Sequence, residues 1–190
     1  YPLFREWMEI RTGDINFVLD TIISYANSND NGANGVYLLT DTEKIGVMGH
    51  SLGGSAALGI GRMRNDVKAV IALEAPFMCD VKGIKEGGFI WDETTYPIPV
   101  LNVYTESSWD ILSKSPQYKE NYQMLNDSIS KTFDIYVKNA GHMTLTDLAY
   151  SMPPLCLMFK QNMFLDVDKC TQKLNQTYLD FFNCYLKDNG

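Results

Sequence analysis

Lys44–Gly61 reads KIGVMGHSLGGSAALGIG, and the reading of this stretch decides the fold. Its first part, Lys44 to Gly49, is a short apolar run of strand type. Its second part, Ser51 to Arg64, is rich in Gly and Ala and reads as a helix. No spacer separates them. A strand that turns this abruptly into a helix lifts the residue at the turn clear of the sheet. Such a turn strains the backbone there and crowds the residues two before and two after, where only small side chains fit. Gly49 and Gly53 occupy both places. The resulting G-x-S-x-G pattern makes Ser51 a candidate nucleophile. The N–H of Leu52, opening the helix, is the candidate donor to an oxyanion. A structural glycine turn is the plainer alternative, since five-residue matches arise by chance. The strand before and the small-residue helix after favour the nucleophile.

Around this turn the chain alternates. Asp14 to Ala26 has apolar residues at the 3.6-residue period of an amphipathic helix. Residues 27–35, NSNDNGANG, are turn formers and read as a loop. Val67 to Leu73 is the next strand, and residues 78–97 read as a loop-rich excursion. Pro97 and Pro99 lead into the strand Val100 to Tyr104, where a missing N–H does least harm. Residues 110–130 read as helical from Ser115 onward, and Lys131 to Val137 alternates like a strand. A final helix, capped by Asp168, is expected to bury Leu174, Tyr178, Phe181, Phe182 and Tyr185. Short, continuous apolar strands separated by helices predict an α/β fold: a mostly parallel sheet with flanking helices, in one domain over residues 1–190.

A serine needs a base beside it. Of the two histidines, His50 lies inside the turn, reads as aimed away from Ser51, and is expected to pack or hydrogen-bond. His142 follows the last strand, where parallel sheets carry functional groups. A satisfied loop histidine is its plainer reading. Glu74, Glu106 and Asp110 all follow suitable strands, so the acid stays open on this ground. The order serine, acid, histidine fits the α/β-hydrolase fold. The usual acid spacing in VYTESSWD falls on Ser108, which is not a carboxylate.

Composition removes other classes. The net charge is −7, with no basic stripe, which excludes a nucleic-acid binder. No apolar run approaches the ~20 residues of a membrane span. Cys79, Cys156, Cys170 and Cys184 have no metal-ligand spacing. On one helix Cys170 and Cys184 would stand roughly 21 Å apart, too far for a disulfide. Free thiols are the plainer reading, with a pairing such as Cys156–Cys170 open.

Four blocks, GHSLGG, VIALEAPF, IPVLNVYTESSW and GHMTLTDLAY, resemble in order those of the plasma-type platelet-activating-factor acetylhydrolases and their bacterial relatives. The resemblance spans roughly residues 12–188. It implies a metal-free α/β-hydrolase that cleaves ester-linked acyl groups, with no cofactor. The family acid lies in an A-L-D-A-like segment, which matches Ala72-Leu73-Glu74-Ala75; the resemblance therefore favours Glu74 over Asp110. The family histidine, followed by an aspartate and an aromatic, matches His142 with Asp147 and Tyr150.

The function expected is a serine esterase for short acyl chains on small-molecule or lipid esters. Residues 151–164, rich in Met, Leu and Phe, line an acyl pocket or touch a membrane surface transiently, or form a plain core helix. Only one helix and a loop precede the Ser51 strand, so the strands that normally come earlier are expected to be missing, with a second oxyanion donor among them. Pairing with such an N-terminal half, or a non-catalytic binding module, is the alternative. An extracellular or cell-envelope location is slightly favoured over the cytoplasm.

Overall fold

The computed structural model describes residues 2–28, 35–115, 118, 131–158 and 165–187. Helix α1 (Pro2–Ala26) leads to strand β1 (Ile45–His50), helix α2 (Leu52–Met63) and strand β2 (Val67–Leu73). A hairpin, β3 (Val81–Lys85) and β4 (Gly88–Trp91), precedes β5 (Val100–Thr105), helix α3 (Glu106–Leu112) and β6 (Thr132–Val137). Short helices α4 (Leu148–Ser151) and α5 (Pro153–Met158) and the long α6 (Val167–Leu186) follow. The main sheet has the order β1-β2-β5-β6, and every pair is parallel. This is the α/β architecture expected.

Both faces are covered. Along β2, Val70 and Ala72 join Ala57, Leu58, Ile60, Phe77 and Val100 in a core under α2, with Ile15 and Leu19 of α1 packed on it. The alternate residues Ala69, Ile71 and Leu73 join Leu101, Val103, Leu174, Tyr178 and Phe181 under α6. A strand buried on both faces has no polar side, which is why β2 reads as one apolar run. At Gly46 a Cβ would meet the Phe182 ring at 2.6 Å, so the glycine lets α6 lie on β1.

Three expectations need correction. First, α1 begins at Pro2, not near Asp14. Met8 and Thr12 are buried, and the Thr12 hydroxyl donates to the Met8 carbonyl, extending the packed face by several turns. Second, the excursion at 78–97 contains the antiparallel β3–β4 hairpin. Its turn is Glu86-Gly87, with φ of 52° and 80°, the left-handed pair of a tight hairpin turn. Glu106 and Asp110 follow β5, as read, on helix α3; the helix expected from Ser115 onward lies almost wholly outside the described residues. Third, the cap of α6 is Asp166, whose carboxylate accepts the Lys169 N–H at 3.0 Å, while Asp168 lies in the first turn.

The hairpin region is held to α2 by a buried ion pair. Arg62 Nε and Nη2 donate to the two Asp80 oxygens at 2.7 and 2.9 Å, and the guanidinium lies 4.8 Å from the Tyr96 ring centre. The four cysteines are unpaired. Among the described residues, no helix is long and apolar enough to cross a membrane.

Candidate active site

Parallel strands in register bring their carboxyl ends to one edge of the sheet. His50 pairs with Leu73, and Thr105 with Val137. The ladder runs one residue further: Ser51 N–H donates to the Leu73 carbonyl and Glu74 N–H to the Val103 carbonyl, both at 2.8 Å. Ser51 and Glu74 therefore stand on adjacent strand ends.

Ser51 has φ 56° and ψ −123°, a backbone conformation that costs a side-chain-bearing residue energy and is kept only where the surroundings impose it. The surroundings do so here. A Cβ at Gly49 would overlap the Gly53 carbonyl, and one at Gly54 would sit 2.8 Å from the Gly49 oxygen and 2.6 Å from the Ala75 Cβ. The crowding expected at Gly53 is absent: a Cβ there meets nothing within 4 Å. The tight positions are Gly49 and Gly54, because it is the Gly53 backbone, not its side-chain position, that closes on Gly49. Leu52 is the first residue of α2, at the positive end of the helix dipole.

Glu74 also has a positive φ, 55°. Its side chain is fully buried. His142 Nδ1 lies 3.2 Å from Glu74 Oε2. Ser108 Oγ donates to that same oxygen, and the Thr105 N–H donates to Oε1. Burial alone would push this carboxyl up; the hydrogen bonds from His142, Ser108 and Thr105 outweigh it and hold Glu74 below the usual glutamate range. Ser108, the position where the usual spacing would put the acid, is a donor to the acid instead. The side chain of Asp110 is exposed on α3 and Glu106 accepts the Asn139 N–H at 2.9 Å, steadying the turn that leads to His142.

His142 opens a 3-10 turn (His142–Leu145) in which Thr144 Oγ1 accepts the Gly141 N–H at 2.8 Å. Its side chain is 38% exposed. His50 hydrogen-bonds and packs against His142, the role expected of it. Its Nε2 lies 3.0 Å from the His142 carbonyl oxygen, and the two rings are 4.5 Å apart. The structure thus joins Glu74 to His142, and His142 to the residue before Ser51. Spacing alone had no means of finding the His50 contact, which crosses 92 residues.

Among the described residues no cluster of His, Cys, Asp or Glu could hold a metal ion. A cavity of about 300 Å³ lies between α1 and the hairpin, lined by Met8, Met63, Met78, Phe89 and Trp91. Its described lining includes none of the site residues; much of 151–164, expected to line an acyl pocket, lies outside what is described.

A parallel sheet flanked by helices, with a serine on a strained turn between strand and helix, defines an α/β-hydrolase fold. A ferulic acid esterase from Streptomyces cinnamoneus is similar to this chain, with a TM-score of 0.63 and 24% identity over 95% of this chain and 48% of its own. A dienelactone hydrolase-like promiscuous phosphotriesterase from metagenomic libraries follows at a TM-score of 0.44, with 13% identity over 77% of this chain and 54% of its own. An acylaminoacyl peptidase follows at 0.43, with 14% identity over 80% of this chain and 25% of its own. The chain spans about half the length of the esterase. No protein family and no curated protein matches it.

Proposed function

We propose that this chain is a serine hydrolase that cleaves carboxylic esters of short acyl chains, of the type of the platelet-activating-factor acetylhydrolases. Ser51 Oγ attacks the ester carbonyl. His142 takes the hydroxyl proton on Nε2 and returns it to the leaving alcohol. Glu74 accepts from Nδ1–H, which fixes the tautomer that leaves Nε2 free and stabilises the imidazolium once it forms. The Leu52 N–H donates to the oxyanion. A water activated by the same histidine then releases the acyl group from Ser51. The observation that carries this reading is the 3.2 Å contact of His142 Nδ1 with a buried, depressed Glu74, on the strand end beside a serine at φ 56°.

Small-molecule and lipid esters are the proposed substrates, with transient contact at a membrane surface and an extracellular or cell-envelope setting. The test is labelling by a fluorophosphonate probe together with turnover of p-nitrophenyl acetate and a ferulate ester. Ser51→Ala is expected to abolish both readouts. Glu74→Gln is expected to lose more than about a hundredfold in kcat, and Asp110→Asn to stay within about twofold, since an exposed carboxylate off the hydrogen-bonded set has little to give. A folded protein that neither labels nor turns over either ester overturns the reading.

One observation favours a second reading. The outer edge of β1 pairs with no described strand, and Met48 on it is 47% exposed. An incomplete unit that pairs here with a further N-terminal half would gain a second oxyanion donor from it, worth about a hundredfold in rate. A rise of that size on adding such a segment, from a low basal rate, distinguishes the two.

A further inference from the structure

His50 occupies the last position of β1, and neither the nucleophile nor the acid uses it. A base on a loop needs an anchor to stay in reach of the serine, because a displacement of about 1 Å costs a large part of the rate. The carbonyl of His142 lies on that loop, and His50 Nε2 stands 3.0 Å from it. The two rings stand 4.5 Å apart at 41°, so His50 also backs one face of the imidazole. We propose that His50 is a positioning residue: its Nε2–H grips the His142 carbonyl and its ring braces the base, tying the base to the strand that carries the nucleophile. This rests on His142 being the base.

A carbonyl only accepts, so Nε2 must carry the proton. The groups that face His50 are His142 and Glu74. Burial and the neighbouring His142 lower its proton affinity, while the carbonyl bond and Glu74 oppose them; the net direction is down. A neutral His50 is what the reaction needs. When His142 takes the serine proton, a second imidazolium 4.5 Å away would repel it.

The experiment compares His50→Phe, which keeps a ring and loses the donor, with His50→Gln, which keeps a donor in the place of Nε2. The readouts are kcat and KM for p-nitrophenyl acetate, the rate of fluorophosphonate labelling, and the melting temperature. The Phe variant is expected to lose roughly tenfold in kcat and in labelling rate, with KM unmoved. The Gln variant is expected to recover most of that loss. A purely structural role would instead lower the melting temperature and would not separate kcat from KM. Wild-type kcat in the Phe variant, or a Gln variant no better than Phe, overturns the proposal. A folded wild type that does not label overturns the esterase reading itself, and this proposal with it. Nitrogen NMR of the wild type gives a check that survives misfolded variants: a proton on Nε2 of His50 supports the grip, and a proton on Nδ1 overturns it.

Discussion

Glu74 shows how much of this site rests on a single carboxylate. Three donors reach it, from the last residue of β5, the first turn of α3 and the turn after β6. Its folded-state proton affinity is lowered, so the ionised form contributes stability at neutral pH. That contribution is whole above the ordinary glutamate value of about 4.3 and is lost as pH falls through the depressed folded value. Melting curves from pH 3 to 7 should show the wild type far above Glu74→Gln at neutral pH, with the gap narrowing below about pH 4.3. A constant gap would deny the depressed affinity. Motif reasoning nominated Ser51 and His142, and a resemblance singled out Glu74. Ser108 was visible only as a gap in the pattern. That a hydroxyl there serves a carboxylate from another strand is a contact between positions 34 residues apart, which no local pattern encodes.

At the scale of the element, the turn between β1 and α2 is a steric lock. Gly49→Ala puts a methyl group into the Gly53 carbonyl. Its expected cost is several kcal/mol, as for overpacking against an immovable backbone, with loss of soluble protein. Gly53→Ala meets open space, and replacing a helical glycine by alanine is expected to gain up to about 1 kcal/mol. Urea titrations of the two variants check both. Equal destabilisation would mean that the lock is misassigned. The strand, the turn and the helix were legible because each carries a local signature. The β3–β4 hairpin was not, because its Glu86-Gly87 turn lacks the Asn-Gly or Asp-Gly of a familiar hairpin. The start of α1 was missed because Arg, Glu and Thr interrupt an apolar face that becomes evident only against α2.

Over the whole molecule, the parallel order of strands followed from their apolar runs, whereas the anchoring of the hairpin did not. That anchoring comes from Arg62 and Asp80, with the carboxylate almost wholly out of solvent. Arg62→Ala strands a buried acid and is expected to cost roughly 3–5 kcal/mol. A double change to apolar residues of similar size should recover most of the loss. Denaturant unfolding measures both, and a single variant within about 1 kcal/mol of wild type would mean that the pair is dispensable.

The register of the sheet also orders events in time. Ser51 and Glu74 each follow one of the two strands of a single strand–helix–strand segment, β1 to β2, whose contacts are local and close early. His142 reaches Glu74 only across 68 residues, after β5 and β6 have paired. If the proposed esterase reading holds, a nascent chain would carry its serine and its acid together for a time, without a base, and stay chemically silent towards esters around it. Reactivity would switch on with the last long-range contact, so that the appearance of a reactive serine marks completed folding.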